Sequence, residues 1–378
     1  MERVELAAWL RLALTPGVGN DAARRLLATF GLPDKVFAQS SAALQQVVSV
    51  AQARALANEP APLAGQLEAT LQWLEQPAAE GRRRILTLAD ADYPSALLNI
   101  EDPPLMLYLI GELGERWPPA IALVGSRNPT PQGLANARNF AQCFARAGLT
   151  VVSGLALGVD GAAHEGALEG AGAGQLSTIA VVGTGLDRVY PRRHLNLAHR
   201  IAATGLLVSE YPVGTPPLPA NFPKRNRLIA ALSQGTVVVE AALRSGSLIT
   251  ARQAAEQGKD VFAIPGSIHS PQSRGCHALL KQGAKLVETA EDVLEEFPTD
   301  PRHGRSAASA EVAAGATAAA PAEDSLLAAL GFDPVSLDAL VARTGMAPSH
   351  LQAKLLDLEL RGDLARLPGG LFQRVGSG

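Results

Sequence analysis

The chain has 378 residues, a length that predicts two or three domains rather than a single core. Its hydrophobic fraction of 47% and charged fraction of 18% are typical of a globular protein, and no run of about 18 apolar residues is present to span a membrane. The first residues, MERVELAAWLRLALTPG, lack a signal-peptide core and cleavage site, so we expect a cytoplasmic protein without a membrane partner. The two cysteines lack CxxC spacing, which argues against a disulfide or a zinc site.

Charge is distributed unevenly along the chain. Asp and Glu outnumber Lys and Arg by 14 to 10 in residues 1–119 and by 7 to 5 in residues 323–378. Residues 120–298 instead carry 16 Lys and Arg against 13 Asp and Glu. We therefore look for an anionic partner, such as a nucleic acid, at the middle segment, although the net charge of the chain is -3.

Residues 1–80 predict a small helical domain. The stretch LTPGVGNDAARRLLATFG resembles one helix-hairpin-helix unit of the SAM-like kind, in which a glycine turn joins two short helices and can meet a DNA backbone. A helical domain with an ordinary glycine turn explains the same residues, and both interpretations stay open.

Residues 81–298 predict an α/β domain in which strand-like apolar runs alternate with helical patterns. The predicted strands are IALVG, LTVVSG, STIAVVG, GLLVSE, GTVVVE, KDVFAIPG and KLVE. Near-continuous apolar strands separated by helices indicate a mostly parallel sheet covered on both faces, which is a Rossmann-like doubly wound domain. Such sheets bind ligands beyond the carboxyl ends of their strands, so the functional residues are expected in the loops that follow the strands.

Four of these loops contain small residues that can donate hydrogen bonds to an anion. Glycine exposes backbone N–H groups, serine adds a hydroxyl, and arginine can bind two phosphate oxygens at once. Each loop alone could be an ordinary turn, but their convergence on one edge of the sheet predicts an anion site. The candidate residues are Gly125, Ser126, Arg127, Ser153, Gly154, Gly183, Gly185, Ser245, Gly246 and Ser247.

The stretch NFPKRNRLIAAL predicts a helix with a cationic first turn. Pro223 suits a first turn, and an apolar repeat follows it. Lys224, Arg225 and Arg227 therefore lie at the helix end where the dipole favours anions. Asn221, Lys224 and Arg227 recur every three residues and share one face, so we expect these cations to await a bound phosphate, whereas Arg225 points elsewhere.

The sequence disfavours catalysis and several competing ligands. A P-loop requires GxxxxGK[ST], a dinucleotide site requires GxGxxG after the first strand, and neither is present. HExxH, GxSxG and Cys/His constellations are also absent, so we expect no metal and no cofactor. Asp160 and Glu240 could act as general acids or bases, but Asp160 could equally cap a helix and Glu240 ends a strand.

The C-terminal part of the chain predicts a linker and a second small domain. Residues 299–322 are rich in alanine and poor in large apolar side chains, which is typical of a flexible linker. Residues 323–378 predict two helices about a Thr-Gly turn and then a short hairpin, the pattern of a winged helix. The acidic balance of this domain disfavours strong binding of a DNA duplex and is at least as compatible with a protein partner.

Six stretches together resemble the DprA (Smf) family of bacterial DNA-processing proteins. They are VGSRNPT, VSGLALGVDGAAHEGAL, GTGLDRVYPRRHLNLA, SEYPVGTPPLPANFPKRNRLIAALS, VVVEAALRSGSLITARQAAEQGKDVFAIPG and GCHALLKQGAKLV. The resemblance implies a non-enzymatic protein that binds and protects incoming single-stranded DNA and loads the RecA recombinase during natural transformation. It also implies a homodimer formed through the later part of the sheet domain. Our apolar candidates for that interface are Leu286, Val293, Leu294 and Phe297.

The resemblance also assigns site residues and leaves two other functions open. The family's phosphate-binding Gly-Ser-Arg loop corresponds to Gly125, Ser126 and Arg127. Its Phe-Pro-x-Arg-Asn-Arg element corresponds to Phe222, Pro223, Arg225, Asn226 and Arg227, and Phe222 could either stack an unpaired base or be buried at the helix start. Related nucleotide phosphoribohydrolases of the LOG type have a catalytic glutamate in PGGxGTxxE, which EAALRSGSLITA lacks in that register. A winged-helix regulator of duplex DNA is the second alternative.

Overall fold

The computed structural model describes residues 2–77, 81–297, 326–327, 329–331 and 334–375. The linker predicted for residues 299–322 lies outside them. None of the helices in the described ranges is both long and apolar enough to cross a membrane.

The N-terminal region is helical, as predicted. Ser49 and Gln52 show how these short helices begin: each accepts a hydrogen bond from the other's backbone N–H, forming a capping box at the start of the fifth helix. The helices are α1 (Arg3–Leu14), α2 (Asn20–Phe30), α3 (Pro33–Phe37), α4 (Ser41–Gln45), α5 (Val50–Leu56) and α6 (Leu63–Glu75).

Within the described residues, nine strands form one sheet in the order β1-β2-β6-β5-β4-β3-β7-β8-β9. The third to ninth strands pair in parallel and correspond to the seven predicted strands, so the mostly parallel, doubly wound sheet is confirmed. The first two strands were not predicted, and they add an antiparallel pair at one edge. The strands are β1 (Arg83–Thr87), β2 (Met106–Gly111), β3 (Ala120–Val124), β4 (Thr150–Ser153), β5 (Thr178–Val181), β6 (Leu206–Ser209), β7 (Gly235–Val238), β8 (Asp260–Ala263) and β9 (Lys285–Leu286).

Helices cover both faces of the sheet, as the near-continuous apolar strands require. One face packs against α7 (Ser95–Leu98), α11 (Asn221–Ala231), α12 (Ser247–Glu256) and α13 (Arg274–Lys281). The other face packs against α8 (Pro131–Arg146), α9 (Val159–Gly170), α10 (Leu195–Thr204) and α14 (Ala290–Leu294), together with the N-terminal helices.

The N-terminal helices and the sheet share one hydrophobic core. Trp9, Leu26 and Trp73 from the helices pack with Tyr108 of β2 and Ile201 of α10, and each of these side chains is at most 1% exposed. The rings of Trp73 and Tyr108 meet edge to face at 5.8 Å. The two regions are therefore joined by packing as well as by the chain.

Strand β3 is the topological switch point of the sheet. The chain adds β4, β5 and β6 on one side of β3 and β7, β8 and β9 on the other. The connections that follow β3 and β7 leave in opposite directions, and this opens a crevice at the carboxyl ends of these two strands. The loop that starts at Gly125 follows β3, and the loop that ends at Ser247 follows β7, so two of the predicted anion-binding loops flank this crevice.

A winged helix forms a separate core at the C-terminal end of the described chain. Its three strands are ordered β10-β12-β11, and its apolar cluster includes Leu340, Leu351, Leu355 and Phe372. The predicted winged helix is confirmed. Its elements are β10 (Val335–Ser336), α15 (Leu337–Thr344), α16 (Pro348–Arg361), β11 (Leu364–Leu367) and β12 (Leu371–Arg374).

Candidate nucleic-acid interface

The crevice at the switch point contains an open pocket of about 690 Å³, which we call the switch-point pocket. Loops after β3 and β7 and the start of α11 form its walls. Nine of the predicted site residues line it: Gly125, Ser126, Arg127, Phe222, Arg225, Asn226, Ser245, Gly246 and Ser247.

The Gly-Ser-Arg loop turns tightly so that its arginine faces the pocket. A Cβ at Gly125 would lie 2.7 Å from the side chain of Val159, so only glycine allows α9 to approach this loop. The Ser126 hydroxyl accepts a hydrogen bond from the backbone N–H of Asn128 at 3.1 Å and fixes the turn. Arg127 is exposed and makes no ion pair with any described residue, so its guanidinium is available to an anion.

Two aromatic rings lie beside this arginine. The rings of Tyr190 and Phe222 are 5.4 Å apart at an angle of 36°, and Tyr190 is 49% exposed. The guanidinium carbon of Arg127 lies 5.8 Å from the centre of the Phe222 ring, within the range of a cation–π contact. Phe222 is half-buried, so part of its ring is accessible and the side chain is not fully buried at the helix start. Sequence reasoning missed Tyr190, although it follows the third predicted strand in the same loop as Gly183.

Arg225 lies beneath the pocket as a buried cation. Its side chain donates hydrogen bonds to the carbonyl oxygens of Gly154, at 2.6 Å, and Val181. Asp160 accepts hydrogen bonds from the N–H groups of Gly154 and Ala156 at 3.2 and 3.3 Å. Burial lowers the pKa of Arg225 to about 10. This value is still well above neutral pH, so the guanidinium remains charged. Arg225 thus ties the ends of β4 and β5 to α11.

The loop after β7 supplies a second group of polar side chains. The hydroxyls of Ser245 and Ser247 are 2.7 Å apart, and Asn226 donates a hydrogen bond to the carbonyl oxygen of Gly246 at 3.2 Å. Arg244 is exposed and lines the pocket beside them. Sequence reasoning misses Arg244, although its position directly before Ser-Gly-Ser is a usable signal.

The expectation that Arg227 and Lys224 await an anion is wrong for Arg227. This side chain is 11% exposed, is paired with Glu210 and lies 3.4 Å from Asp102. Lys224 is half exposed, and its amine lies 3.8 Å from Asp102. The anions that face these two cations therefore belong to the chain itself, and neither cation lines the switch-point pocket.

Five further predicted contacts are occupied by the protein. Ser153 is fully buried and donates to the carbonyl oxygen of Leu123 at 2.7 Å. The N–H of Gly185 donates to Thr215 at 3.1 Å, and the N–H of Gly154 is bound by Asp160. Gly183 is covered by the ring of Phe222 and by Asn221, whose amide donates to the Gly183 carbonyl oxygen at 3.0 Å. The prediction that Ser153, Gly154, Gly183, Gly185 and Asn221 face the ligand is wrong, because none of them lines the switch-point pocket.

The two candidate general acids or bases are structural groups. Asp160 is 7% exposed, and burial raises its pKa while Arg225 opposes that shift. Glu240 accepts hydrogen bonds from the N–H and hydroxyl of Thr130 at 2.9 and 2.6 Å, which fixes the start of α8. Burial also raises the pKa of Glu240. Within the described ranges, no group of three or more His, Cys, Asp or Glu side chains could hold a metal ion.

The four residues predicted for the dimer interface differ in how far they are exposed. Val293 is fully buried in the core of its own chain, so its assignment to an interface is wrong. Leu294 and Phe297 are partly buried against the same core, and the Phe297 ring meets Phe262 at 6.0 Å. Leu286 is 55% exposed on the edge strand β9 and remains the candidate of this set.

Comparison with known proteins agrees with this architecture. A family model described as DNA recombination-mediator protein A matches residues 84–298, and one described as the DprA winged helix domain matches residues 309–370. Protein Smf of Escherichia coli is 42% identical over 313 residues, which are 80% of each chain. The DNA processing protein DprA of Streptococcus pneumoniae is 47% identical over 211 residues, covering 56% of this chain and 73% of that protein.

Two solved structures are similar to this chain. The X-ray structure of DprA from Streptococcus pneumoniae matches with a TM-score of 0.63 and 36% identity, covering 79% of this chain and 98% of that one. A structure that concerns the single-stranded DNA binding mode of DNA processing protein A from Helicobacter pylori matches with a TM-score of 0.50 and 32% identity, covering 57% and 97%.

The fold and the pocket define a Rossmann-like α/β protein with a cationic and aromatic crevice at its switch point and a winged helix at its C-terminal end. Within that class, the chain belongs to the DprA/Smf family of DNA-processing proteins.

Proposed function

We propose that the switch-point pocket binds single-stranded DNA. The observation that carries this proposal is the exposed Arg127 guanidinium beside the Tyr190–Phe222 ring pair. An arginine beside accessible aromatic rings offers one group for a backbone phosphate and another for an unpaired base, the two contacts that single-strand binders combine. The N–H of Gly246 and the hydroxyls of Ser245 and Ser247 lie at the start of α12, where a helix dipole favours a second phosphate.

In the cell, we propose that the protein protects incoming single-stranded DNA and loads RecA onto it during natural transformation, acting as a homodimer in the cytoplasm. Membership of the DprA/Smf family supports this role, as does the similarity to the Helicobacter pylori protein whose structure concerns single-stranded DNA binding. A binding role without catalysis is consistent with Asp160, the carboxylate that lines the pocket, being held by two backbone N–H groups beside Arg225.

Titration of a labelled single-stranded oligonucleotide against the same sequence as a duplex tests this proposal. We expect the single strand to bind at least about fivefold more tightly, because base stacking on an aromatic ring contributes roughly 1–3 kcal/mol and requires an unpaired base. Arg127→Ala should weaken single-strand binding by roughly 1–3 kcal/mol, the range for a charge-assisted hydrogen bond.

The matched control is Arg146→Ala, which removes an exposed arginine at the carboxyl end of α8, outside the lining of the pocket. It should bind like the wild type. Equal affinity of wild type and Arg127→Ala for the single strand would refute the assignment of the pocket.

A further inference from the structure

A second groove lies beside the switch-point pocket, on the outer side of α8, α9 and α10. It encloses about 690 Å³, and we call it the helical groove. Its charged lining consists of Arg138, Arg193, Arg200 and Glu165, with His194 in one wall. The function proposed above uses none of these side chains.

Two of the three arginines are held in place by carboxylates. Nε of Arg138 donates to Glu169 at 2.8 Å, and Nη1 of Arg200 donates to Glu165 at 2.6 Å. These exposed pairs cost little to rearrange and leave further N–H donors on each guanidinium. Arg193 is exposed and makes no ion pair with any residue that the structure describes, so its charge is not neutralised.

The helical groove continues from the switch-point pocket along one loop. Tyr190 lines the pocket, and Arg193 and His194 line the groove a few residues later. Nδ1 of His194 lies 3.0 Å from the carbonyl oxygen of Leu155, which fastens this loop to the chain before α9. A Cβ at Gly161 would lie 2.7 Å from the His194 ring, so the glycine allows the loop to close onto α9 and sets the floor of the groove.

We propose that the helical groove is a second phosphate-binding subsite, which receives the backbone of single-stranded DNA as the strand leaves the switch-point pocket. This inference rests on the function proposed for that pocket. The groove is lined by guanidinium groups but by no Phe, Tyr or Trp, so it binds phosphates without holding bases. Arg193 makes the first contact with a phosphate, because no ion pair with a described carboxylate has to break first.

The test measures binding of labelled oligothymidylates of two lengths, about 6 nucleotides, which fill only the pocket, and about 20, which reach the groove. Arg193→Gln should weaken binding of the long strand by about fivefold and reduce the slope of log affinity against log salt by about 0.7, the value for one lost phosphate contact. It should leave binding of the short strand unchanged. The control Arg146→Gln removes the same charge from the far end of α8 and should leave both affinities unchanged.

The outcomes separate the groove from the pocket. If Arg193→Gln binds the long strand with wild-type affinity and salt slope, the groove is not on the path of the strand, whatever Arg127→Ala does. If Arg193→Gln weakens both lengths equally, Arg193 belongs to the pocket and the second subsite is refuted. If Arg127→Ala weakens neither length, the function proposed for the pocket fails.

Discussion

At the scale of single residues, the ion pair with Glu210 makes Arg227 of α11 a structural side chain. Both side chains are nearly buried, at 11% and 5% exposure, and burial raises the pKa of Glu210 while Arg227 opposes that shift. Arg227→Gln should therefore destabilise the protein by about 3 kcal/mol, because removing one partner of a buried pair leaves the other charge without compensation. Chemical denaturation measures this change.

A double variant is the control for this prediction. Glu210→Gln combined with Arg227→Gln removes both charges, so it should recover part of the lost free energy of unfolding. Wild-type stability in the single variant would contradict the structural role of Arg227.

His164 should make stability depend on pH. Its Nδ1 lies 2.8 Å from the hydroxyl of Thr178, and that hydroxyl donates its one hydrogen to the carbonyl oxygen of Val151 at 2.6 Å. Nδ1 must therefore carry the ring proton and donate it, which leaves Nε2 unprotonated in a fully buried site. Burial lowers the pKa of His164 to about 3 from 6.5.

The sign of the effect follows from which state binds the proton. Below pH 6.5 the unfolded chain protonates His164 and the folded chain does not, so this residue's contribution to stability is complete above pH 6.5 and is lost as the pH falls towards 3. The wild type should lose up to about 1.4 kcal/mol per pH unit from this group. His164→Gln should lose less than the wild type when unfolding is measured between neutral pH and about pH 5. Parallel losses in the two proteins would contradict the prediction.

Sequence reasoning found the polar residues of the site but not their partners. Gly125, Ser126 and Arg127 could be placed because a loop after a parallel strand has a fixed position in a doubly wound sheet. Arg225 and Arg227 are two residues apart on one helix, yet one binds carbonyl oxygens beneath the pocket and the other binds Glu210. Helical spacing gives the direction of a side chain, whereas its partner comes from distant parts of the chain that periodicity does not locate.

At the scale of elements, the parallel strands were predictable and the antiparallel edge was not. β3 to β9 are short apolar runs separated by helices, a pattern that few other folds produce. In β2 every residue is buried, so the alternation that would mark an antiparallel strand is missing. β2 also pairs with β6, nearly one hundred residues later, and local pattern carries no information on that pairing.

A substitution on the edge strand β9 tests how the proposed homodimer forms. Leu286 is exposed there, so Leu286→Arg should fold normally and shift the proposed homodimer towards the monomer, because a charge would be buried in the interface. Sedimentation equilibrium gives the mass. Leu98→Arg, at a leucine of similar exposure on α7, is the control and should leave the mass unchanged. A folded Leu286→Arg protein of dimeric mass would remove Leu286 from the interface.

At the scale of the whole molecule, the two terminal regions should respond differently to truncation. Removing residues 1–80 strips the helices from the shared core and exposes Tyr108 and Ile201, so we expect a lower melting temperature and aggregation. Removing residues 299–378 leaves that core and the switch-point pocket intact, because the winged helix has its own apolar cluster. Calorimetry, light scattering and the single-strand titration distinguish the two truncations.

The opposite results would revise the domain organisation. A soluble protein of wild-type melting temperature after the N-terminal truncation would mean that the shared core contributes little to stability. A large loss of single-strand affinity after the C-terminal truncation would place the winged helix in the DNA site.

The shared core also affects how the protein is made. Trp9 and Trp73 leave the ribosome long before Ile201 and Val213, which complete the same cluster. At about 5–20 residues per second, the helices wait on the order of 10 s for these partners. During that interval their apolar faces are uncovered on the nascent chain, where a chaperone can bind them. Slow codons between Trp73 and Ile201 should therefore lower the yield of native protein, whereas slow codons after Phe297 should not.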